Sequence, residues 1–150
     1  MIVEPPLISV ILPTLNAARV LDLCLAAIRA QDYPRDRIEI VMADAGSTDG
    51  TLDIAARHGV DRIVPNPLMT GEAGKAAAIE ASTGDILALV DSDNILDDPS
   101  FFSRAAALFH DDTVDAVEPL YWTVEPSDSM VNRYCARSEE HTSELQSRQV

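Results

Sequence analysis

Short continuous apolar runs, each halted by loop-forming residues and followed by apolar positions at helical spacing, are the feature that most limits what this chain can fold into. Leu7-Ile-Ser-Val-Ile-Leu12 is such a run, stopped by Pro13, and it reads as a strand buried on both faces. After Thr14-Leu-Asn16, apolar residues at 20, 21, 24, 25 and 28 predict a helix that Gln31-Asp-Tyr-Pro34 breaks. The cycle repeats with a strand over Ile38–Met42, a turn-rich loop over Asp44–Gly50, and a helix over about Thr51–His58 closed by Gly59. A short strand is expected over Asp61–Val64, ended by Pro65 and Pro67, then an Ala-rich helix over about Gly74–Ser82. Asp85–Val90 predicts the next buried strand, which runs straight into Asp91-Ser-Asp93. Asp97-Asp-Pro-Ser100 has the look of a helix start, with the helix running to about His110, and a further strand is expected over Val114–Leu120.

Four strand–helix alternations in about 110 residues point to an α/β fold, a mostly parallel sheet with right-handed crossovers and helices on both faces. Such sheets bind ligands outside the carboxyl ends of their strands, so the loops after Leu12, Ala43 and Val90 should gather on one edge. A chain of 150 residues is long enough for one core that buries roughly 70 % of its unfolded surface.

Composition narrows the partners. Eleven Lys and Arg against 25 Asp and Glu leave a net charge of −14, which opposes binding to a phosphate backbone, so no nucleic-acid partner is expected. An anionic small ligand would meet the same repulsion unless a metal or backbone N–H groups stood between. The two cysteines, Cys24 and Cys135, form neither a disulfide framework nor a zinc spacing. Cys24 falls in the apolar series Leu21, Cys24, Leu25, Ile28 and is expected to pack. No run reaches the roughly 18 to 20 apolar residues of a membrane span, and the N-terminus lacks a basic leader region, so a cytoplasmic location, free or at the inner face of the cell membrane, is expected.

Three loops carry chemistry. Asp91-Ser-Asp93 sets two carboxylates two residues apart at a strand end, hard oxygen donors suited to Mg²⁺ or Mn²⁺; the plain alternative is that they cap the loop, since Asp favours turns. Asp44-Ala-Gly-Ser-Thr-Asp-Gly50 puts Asp44 at a strand end, where it could accept a nucleobase N–H, with Ser47 or Thr48 placed to cap the next helix and Gly46 free to take positive φ. Gly71-Glu-Ala-Gly74-Lys75 opens the Ala-rich helix, where N–H groups and Lys75 can face phosphate; a flexible loop with a solvated lysine is the alternative.

Together the segments Ser9–Asn16, Asp44–Thr51 and Gly84–Asp93 resemble, in order and separation, the signatures of the N-terminal nucleotide-binding half of family 2 glycosyltransferases with the GT-A (Rossmann-like) fold. The resemblance covers about residues 7–110 and departs from the family in one loop, where Ala43-Asp44-Ala45-Gly46 stands for the more usual Asp-Asp-Gly. It implies that Pro13 and Thr14 line a nucleoside pocket, that Asp44 pairs with the base, usually uracil, and that Lys75 neighbours the nucleotide. It also implies that Asp91 faces the ribose and metal and that Asp93 ligates the Mn²⁺ or Mg²⁺ bridging the diphosphate. The implied reaction is an inverting transfer from a nucleotide-diphosphate sugar, UDP-linked, to an acceptor hydroxyl. The family's base lies downstream of the Asp-x-Asp loop, so no catalytic residue is assigned here; it is expected beyond residue 136, and the fragment is expected to be inactive. Two other classes compete: a non-enzymatic nucleotide-sugar binding module, and a haloacid-dehalogenase-like phosphatase, which also sets Asp-x-Asp after a buried strand but expects other residues where Asn94-Ile95 stand.

From Arg137 the chain reads Arg-Ser-Glu-Glu-His-Thr-Ser-Glu-Leu-Gln-Ser147, which resembles the conceptual translation of a widely used sequencing adapter. The expected division is therefore 1–136, the N-terminal nucleotide-sugar-binding part of a truncated GT-A domain, and 137–150, a non-native tail. Any membrane association would come through a C-terminal part that is missing.

Overall fold

A computed structural model describes residues 4–117. The elements follow in the order β1 (Ile8–Thr14), α1 (Leu21–Arg29), a single 3-10 turn at Arg35–Arg37, β2 (Ile38–Asp44), α2 (Thr51–Arg57), β3 (Arg62–Pro65), α3 (Gly71–Ala81), β4 (Ile86–Leu89) and α4 (Phe101–Leu108). The four strands form one parallel sheet in the order β3-β2-β1-β4. This is the α/β arrangement that the alternation predicts.

Period-two alternation in β1 and β2 divides the core between the two faces. Ile8, Val10 and Leu12 of β1, with Ile38, Ile40 and Met42 of β2, pack against Leu21, Cys24, Leu25 and Ile28 of α1 and also meet Ile54, Phe102 and Ala106. On the opposite face Ile11, Val41 and Ala43 lie under Ala78 of α3. Each fully buried Leu or Ile of this kind contributes on the order of 1.5–3 kcal/mol. Leu25, with no exposed surface, is a side chain whose truncation to Ala should cost about 2–5 kcal/mol.

The α3 face is thin because its contact residues are small. A Cβ on Gly74 would lie 2.9 Å from Pro13 Cβ and 2.9 Å from Asn66 Nδ2, so glycine is what lets the helix settle this close to the end of β1. The helix begins at Gly71 rather than Gly74, because the Thr70 hydroxyl accepts from the Ala73 N–H at 3.1 Å and caps it three residues earlier.

Other expectations need correction. β4 is not a buried strand: its residues alternate between half-buried and exposed, and Leu87 and Leu89 are 44 % and 57 % exposed. Ile86 and Ala88 pack into the larger cluster, whereas the opposite face of β4 has no helix over it among the described residues, α3 lying across β1, β2 and β3. Neither Ser47 nor Thr48 caps α2; the position before the helix is Gly50, which has no side chain to cap with. α4 begins two residues after Pro99, on a turn in which the Asp98 carboxylate accepts from the Ser100 N–H and hydroxyl at 2.9 and 2.7 Å. Pro65 closes β3 as its last paired residue, where an edge strand tolerates a missing N–H.

Cys24 packs as expected: it is fully buried and free, and burial, helped by the Asp93 charge, pushes its thiol up to about 12. His58 follows the last residue of α2 with Nε2 3.0 Å from Asp22 of α1, and His110 Nδ1 lies 3.1 Å from the Ala107 carbonyl near the end of α4. Residues 111–117 are described as a separate unit; they hold a turn in which Asp111 accepts from Thr113, and 114–117 form no strand. The rest of the strand expected over Val114–Leu120, with Tyr121, Trp122 and the tail from residue 137, lies outside the described residues. No helix among the described residues is long and apolar enough to cross a membrane.

Candidate active site

Parallel pairing brings the ends of β1 and β2 level, with Thr14 opposite Asp44. Both are buried. The Asp44 carboxylate accepts four hydrogen bonds: from the Thr14 hydroxyl at 3.1 Å and the Ser47 hydroxyl at 2.5 Å on one oxygen, and from the Gly46 and Ser47 N–H groups at 2.9 and 2.8 Å on the other. Gly46 reaches this geometry at φ +91°, a region side chains rarely enter. Burial by itself would push the Asp44 carboxyl up, but the hydroxyl and N–H of Ser47, the Gly46 N–H and the Thr14 hydroxyl outweigh it and hold it below the ordinary value.

A second set of bonds laces the two loops together. The Ser47 hydroxyl also accepts from the Asn16 N–H at 2.8 Å, and the Asn16 side-chain oxygen accepts from the Thr48 N–H at 2.9 Å. Asn16 itself sits at φ +49°, a conformation Asn tolerates better than most residues. The Thr51 hydroxyl accepts from Ala17 N–H at 2.8 Å and donates to Asp49 at 2.6 Å, and Asp49 in turn accepts from Ala18 N–H at 3.0 Å. From the sequence, Ser47 or Thr48 of this loop is expected to cap the next helix. The Ser47 and Thr51 hydroxyls bond Asp44 and Asp49 two or three residues away and also the N–H groups of Asn16 and Ala17, about thirty residues away in the chain, and no local spacing announces the distant partners.

On the other side of β1, the Val90 N–H donates to the Ile11 carbonyl at 3.0 Å. That bond continues the β1–β4 pairing past β4 and carries Asp91 alongside the end of β1. There Lys75 of α3 sets its Nζ 3.0 Å from Asp91 Oδ1, while the thiol of Cys24 in α1 approaches the Asp91 carbonyl at 3.8 Å. Asp91 thus stands between the two helical layers, and Asp93 is close enough to Cys24 for its charge to be felt there. Both carboxylates are exposed.

The expected site residues therefore meet in two pairs on one edge, Thr14 with Asp44 and Lys75 with Asp91, and Pro13 lies beneath Gly74, one residue before Lys75. A cleft of about 470 Å³ opens beside Asp44, lined by Ala45, Gly46, Ile63, Asn66 and Met69 among others, but it contains neither Lys75 nor Asp91. Asn66 escaped sequence analysis. It is 4 % exposed, its N–H donates to the Asp44 carbonyl at 2.8 Å and its side-chain amide to the Thr70 carbonyl at 2.9 Å, and its Oδ1 has no partner among the described residues. It ties the end of β2 to the start of α3.

No group of three or more metal-binding side chains occurs among the described residues. The two carboxylates of this loop, Asp91 and Asp93, are hard oxygen donors of a kind that fits a hard divalent ion, and the Lys75 ammonium lies beside Asp91.

The sequence matches the family described as Glycosyl transferase family 2 over residues 9–136, a match that stops just before the adapter-like stretch. The chain belongs to glycosyl transferase family 2. It is 36 % identical over 93 residues to the glycosyltransferase AglE of Haloferax volcanii, covering 59 % of this chain and 31 % of that protein. It is 26 % identical over 140 residues to the probable glycosyltransferase YdaM of Bacillus subtilis, covering 87 % of this chain and 33 % of that one. Among solved structures, the mannosyltransferase PcManGT from Pyrobaculum calidifontis, in complex with GDP-Man and Mn²⁺, superposes with a TM-score of 0.67 at 31 % identity over 74 % of this chain and 34 % of its own. Glucosyl-3-phosphoglycerate synthase from Mycobacterium tuberculosis, in complex with Mn²⁺, UDP and glucosyl-3-phosphoglycerate, does so with a TM-score of 0.55 at 27 % identity over 69 % and 39 %. The fold is thus the GT-A type of glycosyltransferases, and the chain spans about a third of the length of the curated relatives it matches.

Proposed function

We propose that the chain is the donor-binding part of a glycosyltransferase that moves a sugar from a UDP-linked donor to an acceptor hydroxyl, with inversion at the anomeric carbon and with Mn²⁺ or Mg²⁺. The observation that carries this reading is the meeting of Thr14–Asp44 and Lys75–Asp91 on one sheet edge. It is supported by family relatives whose structures hold GDP-Man or UDP together with Mn²⁺.

In this reading Pro13 and Thr14 line the nucleoside, and Asp44 accepts a nucleobase N–H. All four of its present donors are protein groups, so the base enters in place of a hydroxyl, which can rotate away, and not of a backbone N–H. Asp91 faces the ribose and the metal, Asp93 ligates the metal, and Lys75 offsets charge on the diphosphate. A divalent ion bound there supplies Lewis-acid stabilisation of the departing nucleoside diphosphate. In the transfer itself a base takes the acceptor hydroxyl proton, the acceptor oxygen bonds to the anomeric carbon, and the bond from that carbon to the diphosphate oxygen breaks. No residue of 1–136 takes the base role in this reading, so the chain binds donor and transfers little or no sugar.

Calorimetric titration of the chain with UDP and with GDP, with and without Mn²⁺, tests the proposal alongside Asp93→Asn. Metal-dependent UDP binding that the variant loses is expected. A folded chain that binds neither nucleotide, or binds with no regard to metal, overturns the donor-site reading.

A further inference from the structure

We infer that Lys75 is a resident counter-cation of this edge: its ammonium holds the Asp91 carboxylate, competes there with a divalent ion, and releases that carboxylate when a diphosphate arrives to hold the lysine instead. The inference rests on the donor-site reading above and goes further, because it assigns Lys75 a competing role toward the metal.

Lys75 is the only lysine in the chain; the ten remaining basic residues are arginines. It sits in the first half of α3 with its side chain about one third exposed, and its ammonium is 3.0 Å from Asp91 Oδ1. A lysine suits an exchangeable role better than an arginine. Its charge is a compact, strongly hydrated point on a flexible stem, whereas a guanidinium would grip the carboxylate with two parallel bonds. The chain carries −14 overall, and Asp93, Asp97 and Asp98 follow Asp91 closely in sequence, so a cation on Asp91 relieves repulsion among these charges. An ammonium on Asp91 weakens that carboxylate's attraction for a divalent ion and repels the ion itself, so the two compete there. Once a nucleoside diphosphate is present, the displaced ammonium has a new anionic partner. Metal and nucleotide then favour each other, each raising the other's affinity by the same factor.

The test is a thermodynamic cycle on the 150-residue chain, wild type and Lys75→Gln, with Mn²⁺ alone, UDP alone and the two together. Lys75→Gln should bind Mn²⁺ alone about three- to fivefold tighter, as expected for loss of a partly exposed competing ion pair. It should bind UDP more weakly in the presence of Mn²⁺, so that the factor by which metal and nucleotide favour each other shrinks. Lys75→Arg, which keeps a cation, should hold Mn²⁺ alone no more tightly than wild type. A second readout needs no variant: with one lysine in the chain, isotopic labelling of lysine gives one side-chain signal. That signal should shift on adding Mg²⁺ and shift again on adding UDP.

Unchanged or weaker Mn²⁺ affinity in Lys75→Gln, or a lysine signal indifferent to Mg²⁺, overturns the counter-cation role while metal-dependent UDP binding by wild type leaves the donor-site reading standing. Tighter Mn²⁺ binding with an unchanged coupling factor overturns the hand-over to diphosphate. Failure of wild type to bind Mn²⁺ or UDP at all overturns both.

Discussion

At the seam between β1 and β2, the polar groups that could act on a ligand already have protein partners: four donors converge on Asp44, and Asn16, Ser47, Asp49 and Thr51 lace one loop to the other. At the end of β4, on the same sheet edge, Asp91 and Asp93 stand exposed, and the ion pair to Asp91 ends in a flexible lysine. The first region is completed by folding, its carboxylate already fully bonded within the protein. The second holds charge that the fold does not neutralise, and its final arrangement depends on what binds. A buried carboxylate must be satisfied by the protein, because leaving it bare costs several kcal/mol; an exposed one is satisfied by water and stays free for an ion.

The contrast can be broken most severely at Asp44. Asp44→Ala leaves the Thr14 hydroxyl and the Gly46 and Ser47 N–H groups without their acceptor and should cost about 2–4 kcal/mol in urea unfolding, with UDP binding lost. If the variant unfolds at the same midpoint as wild type, the seam is not the preorganised region described. Gly74→Ala comes next. Helix propensity alone would make it more stable by about 1 kcal/mol, but the new Cβ would meet Pro13 and Asn66 at 2.9 Å. A net loss of about 1–2 kcal/mol is expected, and a stabilised variant would show that α3 is free to shift away from β1.

A smaller effect is expected with pH. The Asp44 carboxyl is held below its ordinary value of 3.8, so the stability it contributes is complete above that value and is lost as pH falls through the depressed one. Wild type should therefore lose stability below about pH 4 more steeply than Asp44→Asn, whose side chain has no proton to gain there; parallel acid profiles would assign that loss to other carboxylates. Asp93→Asn lies at the far end of the scale. Its effect on stability should stay within about 0.5 kcal/mol, while the Mn²⁺ dependence of UDP binding disappears. A large loss of stability would mean that the β4 loop is as structural as the seam.

Much of the architecture was legible in the chain. The runs at 7–12 and 38–42 are apolar on both faces, and both became central strands because helices cover both sides of them. Asp85–Val90 has the same look, yet β4 is half exposed, since apolar composition records a strand's capacity for burial and not what lies over it. For the candidate site, strand-end positions were legible and contacts were not. Asp44 and Asp91 could be placed at strand ends from punctuation alone; Asn66, buried between β2 and α3, had no neighbouring signal beyond its position after Pro65.

The sequence by itself determined the alternation of strand and helix, the parallel sheet, and the edge on which the acidic loops gather, because periodicity, proline and glycine act through a few adjacent residues. Only the tertiary structure decided that Ser47 meets Asn16, that α3 rests on Pro13, and that the chain's one lysine meets Asp91. Those outcomes depend on the strand order β3-β2-β1-β4 and on which small residues let a helix approach, and neither is written in any short stretch of the chain.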